Sequence, residues 1–431
     1  MMRSQAALTA LLMLAAVSRG ETYVCDPRTG SPKGDGSAAR PWRTIEEVLA
    51  DRLIQLTDER GQTCNPQAPV KPGDTLLLRS GWQGTIRIPS GYNAQTITLA
   101  AEAGQRPHVG WIEIGEGCNW CVKGLTVSPS LAPVPLGPWP QSLVKLGERG
   151  GGSSSNLVVE ACFIFSTLDT SAWSAKDWVE KPASGIWLGR HGTSHIARNN
   201  YVLNTRFGIN LCAAGSVAEG NVVDRFSADG IRITRDGQTV RHNVIKNIFV
   251  SAEDGDDNHD DGIQAFLFGA GKGRVKDVTV RENIILAREQ DDLPFPAPMQ
   301  GIGFFDGPLE NFTVDGNVVC VNTWHGLTLN DAQACTVSNN VVYGRWEGRG
   351  QPWLMLGAKQ KLAAGNTVRD NLVKNGVHLK HDAEVRAGNN GDATEEAFLK
   401  RQAALLALIN ACYGAAHPTA MRPRLNEGAL R

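Results

Sequence analysis

The sequence carries almost no net charge, no long apolar run past its first residues, and no partner for the one motif that hints at zinc. Lys and Arg number 43 and Asp and Glu 44, a formal net charge of -1 over 431 residues. That balance excludes a generally basic nucleic-acid binder. Nothing after the N-terminus approaches the run of about 18 apolar residues that a membrane-crossing helix needs. Glycine is plentiful, at 47 residues, but shows no Gly-X-Y period. Collagen is thereby excluded and many tight turns are expected. Cys118-Asn119-Trp120-Cys121 has the spacing of half a zinc site. Neither a second such pair nor a His pair accompanies it, so packed or locally paired cysteines are the plainer reading. An apolar fraction of 42% suffices for a sizeable core and argues against global disorder.

The first residues read as an export signal. Arg3 is a short positive region, Ala6 to Val17 an apolar stretch, and Ser18-Arg19-Gly20 a small-residue cleavage site. Cleavage after Gly20 is expected, with the mature protein exported to the periplasm or secreted. Export permits disulfides, and nine cysteines leave at least one unpaired.

A repeat organises most of the chain. Asn followed by aliphatic residues recurs at Asn200, Asn221, Asn243, Asn283, Asn317, Asn340 and Asn371. A second mark trails it, a Gly followed by alternating apolar residues, at Gly185, Gly208, Gly230, Gly262, Gly301, Gly326 and Gly376. The shortest intervals between the Asn marks, 21 to 23 residues, give the period, and longer ones are that period plus an inserted loop. Each unit holds short period-2 strands and no helical pattern. Such a coil cannot bury its apolar side alone, whereas stacked coils can. Equivalent Asn side chains about 4.8 Å apart would then bond as a ladder. The reading is an all-β chain, a single parallel β-helix of about ten coils over residues 73–390. Residues 21–72 serve as lead-in and cap, and 391–431 as a C-terminal helix and tail. Thr44-Ile45-Glu46-Glu47 predicts a capping box opening a helix through about Leu53. Cys25 and Cys64 bracket that helix and are the expected disulfide. Glu395 to Cys412, rich in Ala and Leu, predicts a helix on or near the last coil.

The segments Gly30-Ser31-Pro32-Lys33-Gly34-Asp35-Gly36-Ser37, Pro41-Trp42-Arg43-Thr44-Ile45 and Val70-Lys71-Pro72-Gly73-Asp74-Thr75-Leu76 resemble the start of bacterial right-handed parallel β-helix proteins. The Asn and Gly coils resemble the pectin-lyase-like superfamily. The resemblance implies a right-handed solenoid. It also points to a set of activities that includes polysaccharide lyases, uronate C5-epimerases, polygalacturonases and phage tailspikes.

Alternation along the Gly-marked strands sends Trp187, Asn210, Arg232, Gln264, Gly303, Thr328 and His378 outward, as a strip along one face. Ser184, Phe207, Asp229, Asp261, Gln300, His325 and Asn375 border it. In its middle, residues 251–261 hold six acidic residues and His259. This is also an insertion, since Gly230 to Gly262 spans 32 residues, and solenoids place such loops around a binding face. A solvated loop, a Ca²⁺ loop held by Asp256, Asp257, Asp260 and Asp261, and a catalytic centre all fit this composition.

For a uronate polysaccharide, removing the C5 proton builds charge on the adjacent carboxylate, so a site needs a base and a cation. His259 would be base or acid. Arg232 would hold the carboxylate, with Arg206 and Arg235 in reserve. Asp260 and Asp261 would orient His259 or bind Ca²⁺. Asp229, Gln264, Gln300 and His325 are expected to bind substrate. Asp257-Asn258-His259-Asp260 is similar to the Asp-Pro-His-Asp motif of alginate C5-epimerases, with Asn in place of Pro. Ser227-Ala228-Asp229 and Asp260-Asp261-Gly262 resemble the carboxylate motifs of polygalacturonases, whose Gly-His-Gly and Arg-Ile-Lys motifs are missing at the following coils. Trp173, Trp178 and Trp346 are candidates for stacking on sugar rings, and 291–298 for a groove wall. The expectation is an exported enzyme acting on an acidic polysaccharide by β-elimination or C5 epimerisation. A polygalacturonase-like hydrolase and a non-catalytic carbohydrate-binding β-helix are the alternatives. The partner is the polysaccharide, with neither nucleic acid nor, after signal cleavage, membrane.

Overall fold

The computed structural model describes residues 20–149, 154–249, 260–267, 273–290, 292–295, 298–346, 350–357, 364–380 and 385–413. Across the repeats each coil contributes three short parallel strands. Front strands are Ser184–Leu188, Ile209–Leu211, Ile231–Ile233, Asp261–Phe266, Gln300–Asp306, His325–Asn330, Trp353–Gly357 and Val377–Leu379. Side strands such as Val217–Glu219 and Thr239–Arg241 follow. Back strands such as Val222–Phe226 and Val244–Ile248 complete the turn. Front and side strands belong to one 23-stranded sheet, and back strands form a sheet of twelve.

Register is strict. Ile209 faces Ile231, which faces Ile263, and Leu211 faces Ile233. These inward side chains are at most 1% exposed, so the core is a column of aliphatic stacks. The front-strand glycines are required by crowding. A Cβ on Gly230 would lie 2.5 Å from Ile245 Cγ2 of the back sheet, and one on Gly301 2.5 Å from Val319 Cγ1. Front and back sheets touch there, and only glycine lets the backbone approach.

The corner between side and back strands holds the expected ladder. Asn200 Nδ2 donates to Asn221 Oδ1 at 2.9 Å, Asn221 to Asn243 at 3.0 Å, Asn243 to Asn283 at 3.0 Å, and Asn283 to Asn317 at 2.9 Å. Asn317, Asn340, Asn371 and Asn390 continue the chain at 2.9 Å per step. Each Oδ1 also accepts the preceding Asn backbone N–H, as at Asn221. Each Nδ2 also reaches a carbonyl one coil back, as Asn243 does to Ala218. The polar corner is thus fully paired inside the protein. The residue before each ladder Asn has a positive φ, including His242 at 57° and Glu282 at 53°.

The ends differ from expectation in three respects. Thr22–Cys25 already pairs with Thr75–Leu78, so the main sheet begins inside the segment expected as a cap. Helix α1, Ile45–Ala50, is N-capped by Thr44, whose hydroxyl accepts Glu47 N–H at 3.2 Å, and it stops short of Leu53. The Cys25–Cys64 disulfide is absent, as all nine cysteines are free thiols. Cys25 is sealed in the core and Cys64 is exposed. Burial pushes the Cys25 thiol up to about 12. Cys118 and Cys121 are half-buried, and no group of three metal-binding side chains occurs among the described residues.

The short helix α2, Ala175–Glu180, lies in the insertion before Ser184. Helix α3, Glu395–Tyr413, does not stay at the last coil. It runs back along the outer face of the back sheet. Phe398 stacks on Tyr343 at 5.2 Å, and the Tyr413 hydroxyl meets His242 Nδ1 at 2.9 Å. Between these ends Leu405 and Ile409 are buried with Val222, Val244, Ile284, Val318 and Val341. At about 1.5 Å per residue against a coil rise of about 4.8 Å, the helix spans roughly six coils.

Candidate active site

The back strands lead into the front strands along one edge of the front face. That edge carries the residues preceding the glycines. In coil order they are Ser184, Phe207, Asp229, Asp261, Gln300, His325 and Trp353. Gly185 N bonds Phe207 O, Gly208 N bonds Asp229 O, and Gly230 N bonds Asp261 O. Asp261 pairs with Gln300, and His325 with Trp353. The outward strip beside this row is Trp187, Asn210, Arg232, Gln264, Gly303, Thr328, Met355 and His378, each in register with the next.

Asp229 and Asp261 therefore sit on adjacent coils, about 4.8 Å apart at the backbone. Both are buried, 1% and 0% exposed. Asp229 Oδ2 accepts Arg232 Nε at 2.5 Å, and its Oδ1 accepts the Asp261 backbone N–H at 2.9 Å. A guanidinium and a backbone donor are the partners that favour an ionised carboxylate. The Arg232 guanidinium also lies over the Phe207 ring, 3.8 Å from its centroid. The Asp261 side chain reaches over the next coil. A Cβ on Gly303 would meet Asp261 Oδ1 at 2.0 Å, so the glycine in the strip makes the space this carboxylate occupies. Asp260 is half-buried beside it, its carbonyl accepting Gln300 N–H at 2.9 Å.

Of the other expected residues, Gln264 is buried in the strip next to Arg232. Gln300 stands in the edge row, and its Oε1 is buried with no hydrogen-bond partner; Asn210 Nδ2 is likewise unbonded. His325 lies two coils past Asp261, its Nδ1 3.0 Å from Thr328 Oγ1. Arg206 shares the Phe207 ring with Arg232, its guanidinium 5.7 Å from the ring centroid. Arg206 donates to the Val179 carbonyl at 3.0 Å, and Arg235, beyond the far end of its front strand, to the Thr234 carbonyl at 2.8 Å. His259, Asp256 and Asp257 lie outside the described residues, as do Asp291, Pro296 and Ala297 of the expected wall. In that wall, the Pro294 carbonyl accepts from Arg288 at 3.3 Å.

The aromatic residues are redistributed. Trp178 is 1% exposed, packed on Phe249 at 4.6 Å and edge-on to Trp173 at 5.0 Å. It holds the α2 insertion together, and its face is unavailable to a ligand. Trp346 is partly buried against the core. Trp324 and Trp353 were not expected at the site. Trp324 is 57% exposed and stacks with Trp353 at 6.1 Å. Trp353 opens a front strand and itself stands where the neighbouring strands have the glycine, since Leu354 pairs with Leu327 and Val377, so the repeat pattern passes over this coil. Its Leu354–Leu356 alternation was the signal left to find it.

Residues 184–390 match the family described as the right handed beta helix region. No curated protein matches in sequence. Among solved structures, one titled glycoside hydrolase superposes with TM-score 0.52 at 11% identity, covering 89% of this chain and 98% of its own. The pectate lyase Pel9A gives TM-score 0.38 at 14% identity, covering 88% of this chain and 80% of its own. The A-module of an Azotobacter vinelandii mannuronan C-5 epimerase gives 0.36 at 14%, covering 74% and 89%. At these identities the likeness is one of fold.

Proposed function

Given a chain of the right-handed parallel β-helix superfamily, we propose that it is an exported carbohydrate-active enzyme that hydrolyses glycosidic bonds at the Asp229–Asp261 pair. The observation that carries this reading is the placement of two buried carboxylates on successive coils of one edge row, one of them paired with a guanidinium. Asp229, held by Arg232 and the Asp261 N–H, is the ionised partner and acts as base. Asp261, reaching over Gly303, is the proton donor to the leaving oxygen. Carboxylates with separated roles are what hydrolysis of a glycoside needs. Asp260 stands beside the pair, and Gln264, Gln300 and Asn210 present amides to sugar hydroxyls.

Uronate lyase or C5-epimerase chemistry, expected from the sequence, is the second reading. It needs a cation facing the substrate carboxylate. Arg232 is already committed to Asp229, and with Asp260 and Asp261 the described cluster is net negative. What favours this reading is the likeness of Asp257-Asn258-His259-Asp260 to the epimerase motif, with His259 as base. Ca²⁺ on the acidic loop would then supply the missing positive charge.

The test is a polysaccharide panel followed for reducing ends and for ultraviolet absorbance. Hydrolysis releases ends without absorbance, and Asp261→Asn and Asp229→Asn each lower turnover by roughly 10²-fold or more. Ca²⁺-dependent absorbance or C5 proton exchange on alginate or polygalacturonate, retained in Asp229→Asn, would replace hydrolysis with the second reading.

A further inference from the structure

Beyond the carboxylates the edge row changes character. After Gln300 come His325 and Trp353, and the adjoining strip reads Gly303, Thr328, Met355 and His378. None of these positions carries Asp, Glu, Lys or Arg. The rings form one connected run. Phe305 meets His325 edge-on at 4.9 Å, His325 meets Trp353 at 5.2 Å, and Trp353 meets His378 at 5.2 Å. Trp324 stacks on Trp353, tilted by 22° and 57% exposed. Such exposure of a large ring is costly in water, where apolar area is normally withdrawn. Gly350 leaves the space that the ring occupies, since a Cβ there would lie 1.9 Å from Trp324 Cδ1.

Two buried polar atoms accompany the rings without a hydrogen-bond partner, Trp353 Nε1 and Gln300 Oε1. Buried donors and acceptors are normally satisfied. An apolar ring face beside an unmet donor and an unmet acceptor suits a pyranose, which has an apolar C–H face and a hydroxyl rim. Among the described residues of this row and strip a carboxylate-bearing sugar would find neither Lys nor Arg.

We infer that the Trp324–Trp353 platform is a binding subsite for uncharged pyranose rings of the glycan chain, on the C-terminal side of the carboxylates. The inference rests on the reading of Asp229 and Asp261 as the reacting centre and extends it to substrate class. Trp353 lies three coils from Asp261 in the row, about 14 Å at one coil per 4.8 Å. A bound chain therefore runs along the solenoid axis and crosses the front strands. A substrate engaging both places is a polymer or oligomer, and the sugars at this end of it are neutral.

The experiment measures binding and cleavage separately. Binding of soluble xylan, galactomannan, mixed-linkage β-glucan, polygalacturonate and alginate is measured by affinity electrophoresis on Asp261→Asn, which stops turnover without touching the platform. Trp324→Ala and, independently, Gly350→Val are then added. At least one neutral polysaccharide should bind, and each platform variant should weaken that binding by about tenfold with circular dichroism unchanged. Retention of acidic polysaccharides only, or neutral binding unchanged in both variants, overturns the inference. Reducing-end release by the wild type is followed in parallel. Cleavage with Trp324-independent binding removes the platform and leaves the hydrolase standing. Trp324-dependent binding with no cleavage of any polymer keeps the platform and removes the hydrolase.

Discussion

Asn243 shows how much one side chain does at the corner of a coil. Its Oδ1 takes two donors from Asn221, and its Nδ2 reaches Asn283 and the Ala218 and Arg241 carbonyls. Leucine would fill the space and strand the neighbours' donors and acceptors. Asn243→Leu should lose roughly 1–3 kcal/mol, measured by denaturant unfolding, and Asn317→Leu about the same. A second residue makes stability depend on pH. His195 is buried, its Nδ1 accepting Leu157 N–H at 3.4 Å, and burial depresses its pKa to about 4. The unfolded chain protonates near the ordinary value of about 6.5. Below that pH the unfolded state binds the extra proton, so stability present above about 6.5 drains away as pH falls toward 4. The loss amounts to at most about 3 kcal/mol. Unfolding midpoints measured between these limits should show that slope in the wild type and lose it in His195→Gln.

At the scale of elements, the outer face of the back sheet is a row of apolar residues, covered from Val222 to Tyr343 by α3. Ile409 is 0% exposed in that contact, and Ile409→Ala should cost about 2–4 kcal/mol. The same face explains what the sequence made legible and what it did not. The ladder and the front glycines repeat at fixed places because every coil meets the same corner and the same crowding, so the Asn and Gly marks could be read without coordinates. Helix α3 is also legible as a helix, from its Ala and Leu content. Its route is not, because the residues it covers, such as Val222 and Val244, follow the Asn marks like any back-strand residue and carry no sign of what lies over them. Within the site, Asp229, Asp261 and Arg232 were legible because they flank the glycine mark. That Arg232 turns to Asp229 rather than to open groove depends on side-chain direction, which spacing does not encode. Trp353 was missed because it replaces the glycine mark itself.

At the scale of the whole molecule, the stack holds together without disulfides. None of the nine cysteines is in a disulfide, and the five buried ones are packed as small apolar side chains. Thiol titration in denaturant without reductant should therefore count nine in a full-length preparation, and the unfolding midpoint should not move when reductant is added. A count of seven would reveal one bridge. The position of α3 has a consequence for how this stack comes apart. A pile of coils joined only to nearest neighbours can fray from an end, one layer at a time. A helix clamped at Tyr343 and at His242, with buried contacts between, binds the intervening layers into a single opening unit. Asp261 lies within that unit, and Asp229 and Trp353 stand beside its two ends. Amide exchange should report one shared, high opening energy for the braced coils and a gradient of lower ones toward the N-terminal coils. The edge row proposed to carry the reaction is thus braced by a splint on the opposite side of the protein.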